Sequence, residues 1–182
     1  SSTFIKFSKL FKNIIFIHKK SFIEDNVLFL GFGGGGFALV DKKFEKVSIK
    51  FKKIVNDNKD KKIILVTHAP PYKTRLDKLI QGHCGNKSIR HFIERNKIDL
   101  LICGHLHDNF VKEDKIGKSK VRNPGTYGKI VEVYIPHMGF CFLIISATSF
   151  KISISSCVRF FLNSLNFLKC SSGIAEYRIS PS

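Results

Sequence analysis

Three histidines stand where two apolar runs stop. The first run, residues 63–66, ends in Thr67-His68-Ala69-Pro70-Pro71, and the second, residues 100–103, ends in Gly104-His105-Leu106-His107-Asp108. Neutral imidazole is a common ligand for borderline divalent metals. In an extended segment, residues two apart point to the same side, with Cα atoms roughly 7 Å apart at a rise of about 3.3 Å per residue. On that spacing His105 and His107 lean inward far enough to serve two ions about 3.5–4 Å apart, the separation of two-metal hydrolytic sites. Gly104 lets the backbone turn sharply before the pair. Pro70 and Pro71 cannot continue a central strand, so they fix the exit of the chain after His68. A lone strand-end histidine is more often a hydrogen-bonded structural residue; the two strand ends together are the specific signal.

The elements that must position these side chains follow from periodicity. Unbroken apolar runs predict strands buried on both faces, as in α/β sheets, whose ligands gather beyond the carboxyl ends of the strands. Residues 14–17 read as a short strand with a structural His18 at its end. Asp25-Asn26 reads as a turn and residues 27–30 as the next strand of a hairpin. Gly31-Phe32-Gly33-Gly34-Gly35-Gly36 satisfies G-x-G-x-x-G. No matching acidic residue follows in a second β-α-β half, so the expectation is a flexible turn bordering the cleft and not a dinucleotide loop. Phe44, Val47, Phe51, Ile54 and Val55 recur at helical spacing and predict an amphipathic helix over residues 41–57. Residues 72–85 form a long polar connection in which Thr74 and Arg75 are placed to face a substrate, His83 either faces it or is structural, and Asn86 is placed to cap the helix after it. For Asp108 two readings stand, orienting a ligand imidazole or lying exposed. Residues 113–117 read as a turn, and 121–122 with 130–133 as closing strands.

Composition narrows the class. The 182 residues are 43% hydrophobic with a net charge of +17, which suits a folded protein and raises nucleic acid as a partner. Lysine is dispersed and far outnumbers arginine, so solvated charge is favoured over a dedicated nucleic-acid face. Five cysteines without paired spacing make neither a disulfide framework nor a zinc ribbon, which points to a reducing, cytoplasmic setting. After residue 133 acidic residues vanish except Glu176, and Phe, Ser and Ile dominate. Residues 138–150 are apolar but shorter than the roughly 20 residues that span a bilayer. The expected division is therefore a domain over 1–133 and a divergent tail over 134–182, forming extra strands, touching a membrane without spanning it, or arising from read-through of altered coding sequence.

Further segments join the histidines. Val27-Leu28-Phe29-Leu30-Gly31-Phe32-Gly33-Gly34, Gly85-Asn86-Lys87-Ser88-Ile89-Arg90-His91-Phe92-Ile93-Glu94, Asp99-Leu100-Leu101-Ile102-Cys103 and Arg122-Asn123-Pro124-Gly125-Thr126 occur in the order expected of one family. Together they resemble the later motifs of the calcineurin-like metallophosphoesterase superfamily, especially its small prokaryotic members. The resemblance implies an α/β fold, a metallophosphoesterase-type β-sandwich flanked by helices. It implies two divalent metal ions, Mn²⁺ foremost with Fe, Zn, Ni or Mg as alternatives. His68 and His105 would bind the second ion and His107 the first. The implied reaction is hydrolysis of a phosphomonoester or phosphodiester. The family's Asp-x-His, Gly-Asp and Asn-His motifs do not occur in this sequence. The expectation is therefore the C-terminal part of the domain, with its N-terminal portion missing. No catalytic residue is identified, and the parent would be a hydrolase although this chain alone lacks turnover. Two other classes stand beside it: a non-catalytic phosphate- or partner-binding protein, and a nuclease-like relative acting on nucleic acid.

Overall fold

A computed structural model describes residues 15–125, together with the backbone of strands at 129–135, 139–146 and 151–155. Its centre is a six-stranded mixed sheet. β1 (Lys20–Glu24) and β2 (Val27–Phe32) form an antiparallel hairpin, with Glu24 opposite Val27. Asp25 takes a φ of 52° between them, as a two-residue hairpin turn of the primed type demands. The expected strand at 14–17 is not formed: residues 15–17 lack strand pairing, and only a single bridge joins His18 to Gly31. Residue 14 lies outside the described residues. The alternating Lys20–Glu24 segment, polar on one side, takes the edge of the sheet instead.

From β2 the chain runs through α1 (Lys42–Asp57) into β3 (Lys62–Thr67), which lies parallel to β2. α1 starts where its cap permits. Asp41 accepts hydrogen bonds from the amides of Lys43 and Phe44, satisfying two donors that the first turn leaves open. Its apolar stripe buries Phe44, Phe51 and Val55, as the spacing predicts. A short hairpin of β4 (Lys78–Leu79) and β5 (Gly82–His83) precedes α2 (Lys87–Arg95), which leads to β6 (Leu100–Ile102), parallel to β3. The sheet closes with β7 (Glu113–Ile116) and β8 (Ser119–Arg122), giving the order β1-β2-β3-β6-β8-β7. Residues 113–116 are thus a strand, and the turn expected at 113–117 is confined to Gly117 and Lys118. Gly117 takes a φ of 57°. β9 (Lys129–Ile135), β10 (Gly139–Ser146) and β11 (Lys151–Ser155) pair with one another in a separate three-stranded sheet. Residues 130–133, expected to close the first sheet, therefore belong to the second. Residues 156–182 of the expected tail lie outside the described residues.

The central strands are buried on both faces, which is why they read as continuous apolar runs. On one face Leu28, Leu30, Ile63, Leu65 and Leu101 join the apolar stripes of α1 and α2. On the other, Val27, Phe29, Ile64, Val66, Leu100 and Ile102 form a second cluster. The period-two alternation of the pleat divides each strand between the two. The result is a mixed α/β fold in which β2, β3 and β6 run parallel and deliver their carboxyl ends side by side.

Candidate metal centre

His68 follows β3 directly and is fixed between the ends of its neighbours. Its amide donates to the Phe32 carbonyl at 3.1 Å, and its carbonyl accepts from the Gly104 amide at 3.1 Å. Thr67 Oγ1 bonds the Ala69 carbonyl at 2.8 Å, which satisfies a fully buried hydroxyl. Asn86 then ties the exit segment down, donating its amide to the Pro70 carbonyl at 2.8 Å and accepting from the Tyr72 amide at 3.1 Å. Asn86 caps α2 as expected, its Oδ1 accepting from the Ile89 amide.

His105 arrives from β6 through an unusual turn. Its φ is 72°, and the Leu106 amide bonds the Gly104 carbonyl at 2.9 Å, two residues apart. This is a γ-turn of the rare positive-φ kind, strained for a residue with a side chain. Behind it, buried Asn123 donates from Nδ2 to the Leu106 carbonyl at 3.3 Å and accepts from the Gly125 amide at 3.1 Å. The γ-turn brings the His105 and His68 rings to a centroid distance of 4.6 Å at 62°. His105 Nε2 is buried and has no hydrogen-bond partner among the described residues.

Burial lowers the pKa of both imidazoles below the ordinary 6.5, chiefly by penalising the charged form. A neighbouring imidazole adds to this, His105 for His68 and His107 for His105. Both rings are thereby biased toward the neutral form that binds metal. The structure corrects the spacing argument for the third histidine. His105 sits in the γ-turn and His107 begins a single 3₁₀ turn over His107–Asn109, so the segment is not extended. His107 is exposed, its ring 5.0 Å from that of Phe110. Among the described residues no group of three or more His, Cys, Asp or Glu is arranged to hold one ion. The rings of His68 and His105 meet, and His107 lies close enough to His105 to lower its pKa.

Of the flanking residues, Thr74 departs from expectation, and His18, His83 and Asp108 take roles the sequence allowed. Thr74, expected to face a substrate, is buried, and its hydroxyl donates to the Pro71 carbonyl at 2.9 Å. Arg75 is exposed and bonds Asp114 Oδ2 through its amide. His83 donates from Nδ1 to Asp77 Oδ1 at 2.8 Å. Asp108 is exposed. His18 Nδ1 accepts from the Gly33 amide at 2.9 Å, a structural role. Gly31 and Phe32 complete β2, and α1 opens only at Lys42, so the glycine run does not lead into a helix N-terminus as a dinucleotide loop must.

Two residues were missed. Asp77 is fully buried and organises the connection before α2; its spacing three residues after Thr74 was the available signal. Phe37 is 68% exposed yet sets its ring edge-on to His105 at 4.4 Å, and no local pattern announces it.

The model of the calcineurin-like phosphoesterase family matches residues 4–109. The uncharacterized protein MJ1162 of Methanocaldococcus jannaschii is 39% identical over 109 residues, which are 55% of this chain and 49% of that protein. The chain thus spans about half the length of this curated relative. TT1561 of Thermus thermophilus is a similar solved structure, with a TM-score of 0.48 and 15% identity over 76% of this chain and 57% of that one. GAP50, the anchor in the inner membrane complex of Plasmodium, matches with a TM-score of 0.43 and 15% identity, over 75% and 53% of the two chains.

Proposed function

The chain belongs to the calcineurin-like phosphoesterase family, and on that premise we propose that it supplies the histidine side of a metal centre that hydrolyses a phosphomonoester or phosphodiester. The observation that carries this reading is the buried, unpartnered Nε2 of His105 beside the His68 ring. A buried polar atom without a partner costs about 1–3 kcal/mol, and it is held here in a strained turn. An arrangement that costs stability twice is accounted for if a divalent ion completes it.

The residues present fit such an ion. His68 and His105 are neutral-biased imidazoles at adjacent parallel strand ends, and His107 is the third ligand we assign, from its place in Gly-His-x-His. The family uses divalent metals as a class; Mn²⁺ is our choice for this centre, among ions that imidazole and carboxylate ligands accept. Bound there, the metal pair supplies Lewis-acid stabilisation of charge on the phosphoryl oxygens. The protein's own part is to hold the imidazoles neutral and fixed. The Gly104 and Phe32 hydrogen bonds set the backbone of His68, and Asn123 braces the γ-turn of His105. A cytoplasmic location is proposed from cysteine usage, since Cys84 and Cys103 are free thiols suited to a reducing compartment. Among the described residues no helix is long and apolar enough to cross a membrane.

The test is a Mn²⁺ titration followed by imidazole NMR, with hydrolysis of bis(p-nitrophenyl) phosphate measured on the protein expressed from its full gene. The His68 and His105 ring signals are expected to broaden first, and His105→Ala or His107→Ala to abolish hydrolysis. Hydrolysis unaffected by either substitution would sink the reading. Phosphate binding with neither metal uptake nor turnover would replace it with the non-catalytic one.

A further inference from the structure

We propose that Tyr72, Lys73 and Lys87 form a subsite for a second phosphate group of the substrate, distinct from the phosphoryl group that is cleaved. Lys87 Nζ lies 4.9 Å from the centroid of the Tyr72 ring, and Lys73 Nζ lies 5.9 Å from the same centroid. Each ammonium is attracted by the ring, but the two repel each other. Neither forms an ion pair among the described residues. An anion bound by both ammoniums supplies a counter-charge that no carboxylate among the described residues provides.

The segment is built to hold this arrangement. Lys73 takes a φ of 55°, a left-handed conformation that costs a non-glycine residue roughly 1–2 kcal/mol. It is kept there from two sides. Arg90 Nη1 donates to the carbonyls of Tyr72 and Lys73, both at 2.8 Å, and the buried Asp77 carboxylate accepts the Lys73 amide at 3.0 Å. Asp77 also holds His83, whose ring stands at 68° to Tyr72 with centroids 6.0 Å apart. Tyr72 follows His68 by only four residues, and the Asn86 hydrogen bonds lock that connection to α2. Assigning the anion to the substrate rests on the phosphoester reading; the anion site itself does not. The substrate class that follows carries phosphate beyond the scissile group, either along a nucleic-acid backbone or in a compact polyphosphate.

The experiment uses the full chain in EDTA at low salt. Binding of a fluorescein-labelled oligothymidylate is followed by anisotropy, with inorganic pyrophosphate as competitor. Lys73→Gln/Lys87→Gln is expected to weaken binding on the order of 10-fold. It should also flatten the log-log salt slope by about 1.4, at about 0.7 per lost phosphate contact on a single strand. Lys50→Gln/Lys53→Gln removes the same charge from the exposed side of α1 and is expected to leave both quantities close to the unsubstituted values. Equal losses in the two pairs, or none in the first, would overturn the subsite. Displacement by pyrophosphate supports it with a compact polyphosphate as the source, and oligonucleotide binding that resists pyrophosphate supports it with a nucleic-acid backbone. Because metal is absent, failure of Mn²⁺-dependent hydrolysis with lysine-dependent binding intact would remove the metal reading and leave the subsite.

Discussion

In the connection of residues 73–85, the buried Asp77 carboxylate accepts hydrogen bonds from the amides of Lys73, Thr74 and Gly85 and from His83 Nδ1. In the turn of residues 104–107, the buried Nε2 of His105 accepts none among the described residues. Both polar groups lie beyond parallel strands of one sheet, and both turns contain a non-glycine residue at positive φ, Lys73 and His105. One group is matched on several sides by its own chain, and the other is left open. A matched buried group defines architecture, because removing it strands its donors. An unmatched one in a strained turn costs stability as it stands, so its role is found in what it binds.

Breaking the matched side gives the largest effect. Asp77→Ala strands three amides and the His83 ring, and should cost about 3–5 kcal/mol, read as a lower urea midpoint with an unchanged slope. Asn123→Ala, which removes the brace under the His105 turn, should cost about 1–2 kcal/mol by the same measurement. His105→Gly sharpens the contrast because its expected sign is opposite. It relieves the positive φ and removes the unpaired nitrogen, so stability should hold or rise by about 1 kcal/mol, while Mn²⁺ no longer perturbs the His68 ring signal. A stability loss as large as that of Asp77→Ala would show the two turns to be alike.

The smallest effect is in pH. His68 and His105 titrate below 6.5 in the folded chain, first from burial and then from a neighbouring imidazole. Above 6.5 both are neutral folded or unfolded, and their contribution to stability is fully present. Below 6.5 the unfolded chain binds protons that the folded chain resists, so stability is lost as pH falls through the two folded values. Urea midpoints between about pH 8 and about pH 5 should therefore decline, and less steeply in His105→Gly. An identical slope in the variant would remove His105 from the account.

Much of the fold was legible because its signals are local. Asn86 caps its helix through an amide three residues away, and Phe44, Phe51 and Val55 mark a buried stripe by spacing alone. The edge strand Lys20–Glu24 was misplaced because a hairpin's outer strand is half polar and its partner decides its register. Residues 113–116 were read as a turn because two acidic residues and a lysine hide a strand whose pairing comes from β8.

The candidate site divides along the same line. The sequence by itself determined that His68 and His105 end apolar strands, since burial of a parallel sheet writes continuous apolar runs into the chain and glycine or proline punctuates their ends. Only the tertiary structure decided that these two rings meet, that His107 begins a 3₁₀ turn, and that the Phe37 ring stands in a T-shaped contact with His105. It alone decided that Asp77 is matched while His105 is open. Those outcomes depend on which distant backbone and side-chain groups the folded chain brings within hydrogen-bonding reach. No spacing along a single segment specifies that.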